Sequence, residues 1–425
     1  MIDSLRLSIS ADLFDQADIY WLRSLQQKLS LSNFAGDVVK WTMLQGVKLP
    51  SWFDGFYIRI GSEITIEGSP KMYQGHNVTG PDNLLFACRS IVNHIFGRVF
   101  GLASWPDAGL WYLRRMDITQ QFDFQSFEAF QCWADTACGV SRGVRRASCE
   151  VSEKVMGFEG YGPARTLYIG KHSRYRAGKI YNKGAELSQH KPRVVSGHAD
   201  FCHELAQEFM PIGRFESVVR ALYISDHAMD LGLVPDRLKG MDAGAYRENV
   251  LYYCQQIGVE AIVTKSKEPL ILFPVSYLSE KLDLRQMWLD EFHYLFSTEA
   301  AMDDATLISR LCDVCPSESQ AGKAFDFLRR VRVEGLAMAR LGYSRSHWYN
   351  FRRWLNAAGV SDAQLQDGAP LVRVALDPVK IFDFRVASER LRLIQQAHAA
   401  SVDGDVARLH REVFPRTVEV VARSA

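Results

Sequence analysis

Tyr181 lies in the run Lys179-Ile-Tyr-Asn-Lys183, where a spacing of two sets Lys179, Tyr181 and Lys183 on one face of an extended chain. Ammonium groups beside a phenol favour its ionised form, whose ordinary pKa is about 10, so the pattern describes an activated oxygen nucleophile. Attack on a phosphodiester would also need positive charge around the phosphoryl group and, commonly, a hard divalent cation held by oxygen ligands. Asp117, Glu216, His76 and Glu67 are the candidate metal ligands, the acids in β-like segments and the imidazole in Tyr73-Gln-Gly-His-Asn-Val78. Each has a plainer reading. Tyr181 is one of sixteen tyrosines and could pack on a strand between solvated lysines, while Asp117 with Arg115, or Glu216 with Arg214, could close an ordinary ion pair. A His-x-His metal pair is absent, because no two of the eleven histidines stand two apart.

These side chains need a rigid scaffold if they are to meet. Ile2, Leu5, Leu7 and Ile9 approximate the alternation of a first strand, and residues 56–60 and 63–67 flank Gly61-Ser62 as a hairpin. Residues 83–100 are apolar at helical spacing. In residues 110–119, alternation predicts Arg115, Asp117 and Thr119 on one face and Arg114, Met116 and Ile118 on the other. Residues 165–170 and 179–183 read as a second ribbon, and residues 212–224 as a further strand with Arg214 and Glu216 on one side. The expected fold is therefore α+β, a mostly antiparallel sheet with helices on one face, followed by a helical carboxyl-terminal region. Helical texture begins beyond Ser225, in residues 245–257, 279–296 and 324–341. It divides the chain into a domain over 1–225, a helical connector over 226–300 and a carboxyl-terminal DNA-binding domain over 301–425.

A chain of 425 residues that is 47% apolar can bury a full core. Its apolar runs are broken by charge before the roughly 18 residues that a membrane span needs, and Met1-Ile2-Asp3-Ser4 lacks the features of a leader, so a cytoplasmic protein is expected. The eight cysteines are scattered apart from Cys312 and Cys315, which predicts reduced thiols; that pair alone completes no zinc site. A net charge of +1 hides local basic surfaces. Residues 161–183 carry Arg165, Lys171, Arg174, Arg176, Lys179 and Lys183 with no acid among them. Arg115, Arg174, Arg176, Lys179 and Arg214 are the expected DNA contacts around the sheet. Further on, a short helix, a turn at Gly342, Ser344 as an N-cap and a stop at Gly359 predict a helix-turn-helix-like segment that would present Arg345, Arg352 and Arg353. Tyr343, Trp348, Tyr349 and Trp354 are interleaved with those basic residues, and an amphipathic core helix fits the same pattern.

In order and spacing, these motifs resemble the gene II/X family of filamentous phage replication proteins. The resemblance is carried by the opening Met1-Ile-Asp3, by Glu67-Gly-Ser-Pro-Lys-Met-Tyr-Gln-Gly-His-Asn-Val-Thr-Gly80, by Arg115-Met-Asp117, by Tyr181-Asn-Lys-Gly-Ala-Glu-Leu187, by Arg214-Phe-Glu216, and by the segment around Trp348 and Gly359. It implies a rolling-circle replication initiator that nicks the plus strand at the phage origin in supercoiled duplex DNA. Tyr181 would be the nucleophile, forming a 5′-phosphotyrosine bond, and Lys183 would stabilise phosphate or phenolate. A Mg2+ or Mn2+ ion would be the cofactor, held by Asp117 and Glu216 first, then His76, then Glu67. The implied partners are origin DNA, the displaced single strand, and the replication helicase and polymerase of a bacterial host. Met302 falls where that family's shorter internal product would begin. Two competing readings are a sequence-specific DNA-binding replication regulator without cleavage and a tyrosine recombinase. The recombinase is disfavoured because acids accompany the tyrosine.

Overall fold

The computed structural model describes residues 1–29, 47–49, 56–70, 80–137, 141–142, 145–151, 162–189, 199–238, 240–264, 269–292, 295, 304–360 and 365. Elements run in chain order as β1 (Ile2–Ser10), α1 (Gln16–Leu29), β2 (Val47–Leu49), β3 (Phe56–Ile60), β4 (Glu63–Gly68), α2 (Leu84–Val92), β5 (Tyr112–Asp123), α3 (Phe127–Ala137), β6 (Ser141–Arg142), β7 (Arg145–Val151), β8 (Arg165–Ile169) and β9 (Arg176–Asn182). They continue as α4 (Lys183–Gln189), α5 (Ala199–Glu208), β10 (Ile212–Arg220), α6 (Ala221–Asp226), α7 (Ala243–Gln256), β11 (Ile262–Val263), β12 (Ile271–Leu272), α8 (Val275–Lys281) and α9 (Leu284–Phe292). The last helices are α10 (Asp304–Val314), α11 (Glu318–Glu334), α12 (Leu336–Arg340) and α13 (Arg345–Ala357).

Ten strands form one sheet in the order β2-β3-β4-β1-β5-β10-β9-β8-β7-β6, with every neighbouring pair antiparallel. The expected α+β architecture is present. Alternation gives the sheet two unlike faces. Leu5, Leu7, Ile64, Ile66, Met116, Ile118, Ile180, Phe215 and Val219 are buried on one, against helices including α2, α3 and α9. Each such side chain contributes about 1.5–3 kcal/mol by leaving water. The other face carries Arg6, Glu67, Arg115, Asp117, Thr119, Lys179, Tyr181, Arg214 and Glu216.

Two β-bulges interrupt the β1–β5 pairing, between Ile2 and Ser4 and between Arg6 and Leu7. At the first, Asp3 is the extra residue. At the second, Arg114 is the extra residue on β5, where it reaches Ser8 Oγ (2.8 Å) and pairs with Glu63. The strict alternation expected for residues 110–119 is therefore corrected: Arg114 joins the polar face, because a bulge inserts one residue without turning the next over. β10 is also shorter than expected, ending at Arg220, after which residues 221–226 are helical.

The stretch expected as a helical connector contributes Ala228, Leu233, Val250, Phe273, Leu278, Trp288 and Phe292 to the same hydrophobic core as the sheet. A separate core lies among α10, α11, α12 and α13, built on Leu311, Phe327, Val331, Phe351 and Leu355. Ser344 caps α13 as expected, accepting from His347 N at 3.4 Å, and Gly359 follows the helix at φ 98°. Trp348 and Trp354 belong to this core rather than to an exposed surface, while Tyr349 is about half exposed. No described helix is long and apolar enough to cross a membrane. The described cysteines Cys88, Cys132, Cys149, Cys254, Cys312 and Cys315 are free thiols.

Candidate active site

β5, β10 and β9 lie side by side, and their register fixes the polar side chains between them. Glu216 on β10 stands opposite Thr119 on β5 and Lys179 on β9, while Arg214 stands opposite Tyr181. Tyr181, buried with only 5% of its surface exposed, donates its phenol hydrogen to Glu216 Oε1 at 2.5 Å. Arg214 is fully buried, with Nε 3.4 Å from Glu216 Oε1 and Nη2 paired with Asp3. The first bulge is what brings Asp3 to this face. Asp3–Arg214–Glu216–Tyr181 is thus a continuous chain of charge and hydrogen bonding that ends on the phenol oxygen.

A second chain approaches from β4. Arg6 Nε donates to Glu67 Oε2 at 2.7 Å, and Arg115 Nη1 reaches Glu67 Oε1 at 3.3 Å. The Arg115 fork grips Asp117 with Nε to Oδ1 at 2.8 Å and Nη2 to Oδ2 at 2.7 Å. Burial pushes the Asp117 carboxyl up to about 6; Arg115 opposes the shift, while Glu216 and Glu67 add to it. Such mutual repulsion among acids marks a place where added positive charge is favourable.

The expectation that Lys179 and Lys183 ionise Tyr181 is overturned by the local structure. Asn182 Oδ1 accepts from Ala185 N at 2.9 Å in the manner of an N-cap, so the strand ends and Lys183 opens α4 instead of continuing the face. Gly184 is required there, since a Cβ would come within 2.5 Å of Ala206 O and Met210 N. Lys183 is fully buried and donates to Glu186 Oε2 at 2.6 Å. Burial first, and then Arg214, pull its pKa down to about 8. Lys179 keeps its place on the face, with Nζ 4.1 Å from the Tyr181 ring centroid, a cation–π contact. Burial raises the Tyr181 pKa well above its ordinary value, Arg214 opposes this, and Glu216 and Glu186 raise it further. Tyr181 is therefore a phenol with an adjacent carboxylate acceptor, not a standing phenolate.

The expected DNA contacts fall into distinct groups. Arg115 and Arg214 are engaged by the acids of the cluster. Arg176 is corrected more sharply: parity on β9 turns it to the helix-covered face, where it is buried, bonds Tyr223 Oη at 3.2 Å and Met287 O, and pairs with Glu291 at 3.3 Å. Arg174 is exposed in the β8–β9 connection and Lys179 is half-buried. Arg345 and Arg353 are exposed on α13, and Arg352 is half-buried there. His76 and Met302 lie outside the described residues. Of two further tyrosines, Tyr168 stands opposite Lys179 on β8, while Tyr175 precedes β9 at its far end and donates to Asp226 Oδ2 at 2.9 Å.

Asp117, Glu216 and Glu67 are oxygen donors of the kind that a hard divalent cation takes, so the donor chemistry fits a magnesium-type ion. Among the described residues, no three His, Cys, Asp or Glu side chains come together as a ready-made metal site. Further ligands would be needed from water, phosphate or other residues.

Residues 1–232 match the Phage_CRI family model, which describes the N-terminal region of a replication-associated protein. The chain belongs to this family. The match covers more than half of the 425 residues and includes each sheet residue named above, which confirms the family resemblance read from the motifs. No curated protein matches this replication-associated protein. Among solved structures, the rolling circle replication initiator protein from Geobacillus stearothermophilus is similar at 11% identity over 69% of this chain and 95% of that chain. The TM-score is 0.27, too low for that likeness to carry any argument. Asp3 is the site residue that sequence reasoning left without a role. Its partner Arg214 is 211 residues away, and only the broken alternation between Ile2 and Leu5 hinted that Asp3 faces the site.

Proposed function

We propose that this replication-associated protein initiates rolling-circle replication by nicking one strand of origin DNA with Tyr181. The observation that carries the proposal is the hydrogen bond from the Tyr181 phenol to Glu216 Oε1 on a face that also bears Asp117 and Arg115. Glu216 takes the phenol proton as Tyr181 Oη attacks phosphorus. The P–Oη bond forms, the P–O3′ bond breaks, and the strand is left with a 5′ phosphotyrosine and a free 3′ end. A buried phenol whose proton is held until an acceptor is in place is protected from wasteful ionisation, and its nearby base supplies the activation. The departing 3′ oxygen takes its proton from solvent, since Lys183 is fully buried and paired with Glu186. Lys179 and Arg115 supply positive charge for the phosphate.

Asp117 and Glu216 would hold a divalent cation, with His76 and Glu67 as further candidates, and the cation would contribute Lewis-acid charge for the phosphoryl oxygens. Because a phosphotyrosine ester is an exchange of one phosphodiester for another, the new 3′ hydroxyl can attack it after one round and release a closed circle. A host polymerase and helicase would act on the 3′ end and the displaced strand, in the cytoplasm of the bacterial cell.

The test is incubation with supercoiled plasmid carrying the cognate origin, with magnesium or manganese. Open circles with covalently attached protein are expected from the native chain, and Tyr181→Phe should give none. Unchanged supercoils at saturating binding would replace this proposal with the cleavage-free regulator. Full activity in a chelator would point instead to recombinase-like chemistry.

A further inference from the structure

The polar face extends past the reacting residues to β1, β4 and β3, where the proposed chemistry leaves several side chains unused. A cavity of about 470 Å³ opens there, lined by Arg6, Phe56, Tyr57, Arg59, Thr65 and Glu67 among others. That size lies within the range of small-ligand pockets. The strand register orders its walls. Tyr57, Glu67 and Arg6 stand opposite one another across β3, β4 and β1, and Arg6 is opposite Arg115, which grips Asp117. Arg59 lies one step along β3, opposite Thr65. Tyr57 is half-buried and Arg59 is exposed, and among the described residues Arg59 forms no ion pair.

A half-buried aromatic ring, an exposed guanidinium and a carboxylate already neutralised by two arginines make a site with a distinct chemical preference. The ring offers a stacking surface, Arg59 offers a phosphate contact, and Glu67 offers an acceptor for an amino edge. We propose that this cavity seats a nucleotide of single-stranded DNA, its base stacked on Tyr57 and its phosphate against Arg59. The inference rests on the nicking proposal for its biological setting, since the seat would hold the strand that flanks the cut. From β3 to β9 there are five strand steps of about 4.8 Å, or roughly 24 Å. At about 3.4 Å per stacked nucleotide the seat is no more than about seven nucleotides from Tyr181.

The test uses the full chain and an oligodeoxycytidylate of about twelve nucleotides, with affinity read by fluorescence anisotropy and contact read by photocrosslinking from 5-iodocytosine. Tyr57→Ala and Arg59→Ala should each weaken binding about ten-fold, and Arg59→Ala should lower the salt dependence by about one phosphate contact. Tyr57→Phe and Arg59→Lys, which keep the ring and the charge, should bind nearly as the native chain does, and the crosslinked peptide should contain Tyr57. Unchanged affinity in the alanine variants would overturn the inference, as would weakened binding with no crosslink at Tyr57. Neither readout requires strand cleavage, so failure of the plasmid test at Tyr181 and failure of this one are separate results.

Discussion

At the scale of the residue, the site turns on where one proton rests. Tyr181 keeps its hydrogen because burial and nearby acids disfavour the phenolate, and the Glu216 carboxylate stands ready to receive it. An extended chain would set Lys179 and Lys183 beside Tyr181 as activators, but Lys183 belongs to a helix and Lys179 lies on the ring face. The pH dependence of nicking follows from two displaced groups. Asp117, raised to about 6, is uncharged below that pH and cannot attract a cation, so the rate should climb as pH rises through about 6. A bound cation would shift this limb downward. Lys183, lowered to about 8, loses above that pH the charge that pairs with Glu186 beside the cluster, so the rate should fall through about 8. A pH–rate profile of oligonucleotide cleavage should be bell-shaped, and Lys183→Arg should flatten its alkaline limb while lowering the rate. An alkaline limb that persists in that variant would show that Lys183 does not set it.

At the scale of the element, β1 and β5 are held together by a ladder that is broken twice, and the breaks aim the site. The first bulge puts Asp3 and Ser4 together between the buried Ile2 and Leu5, which is how a residue near the amino terminus reaches Arg214. The second gives Arg114 to the polar face. Asp3 acts through Arg214 and Glu216, so it is a positioning residue. Removing its charge leaves a buried guanidinium undercompensated and free to draw Glu216 away from Tyr181. Asp3→Asn should lower kcat for nicking by about ten- to a hundred-fold, as small misplacements of reacting groups do, with little change in KM. It should also alter the pH–rate profile, and Asp3→Glu should recover part of the loss. A variant with reduced thermal stability but native kcat and pH profile would mark Asp3 as purely structural.

At the scale of the whole molecule, the described residues form two main hydrophobic cores, one shared by the sheet and its helices and one confined to the carboxyl-terminal helices. The chemistry proposed for Tyr181 draws on the first alone. α13 offers Arg345 and Arg353 on its outer side while Trp348, Phe351 and Trp354 anchor its inner side. We expect these basic residues to hold duplex DNA while the sheet acts on a strand. Replacing Arg345 and Arg353 by alanine should weaken duplex binding and reduce the slope of log affinity against log salt by about two, with cleavage of a short single-stranded oligonucleotide preserved. Equal losses on both substrates would instead make α13 a support for the catalytic core.

The sequence by itself determined the α+β class, the hairpin of residues 56–67, the pairing of types in Arg115-Met-Asp117 and Arg214-Phe-Glu216, the capped helix after Ser344 and the family. Those features depend on local alternation, turn chemistry and motif order, which a linear chain displays. Only the tertiary structure decided which oxygen receives the Tyr181 proton, that Lys183 begins a helix, and that Arg176 is spent on Glu291 beneath the sheet. Arg176 lies ahead of the strand read over residues 179–183, and only the start of β9 at Arg176 sets its side of the sheet. The link between Asp3 and Arg214 was not legible in the sequence, because strand order across a sheet, a bulge that leaves Asp3 and Ser4 on one face and the desolvation of a charge all arise from contacts between distant segments.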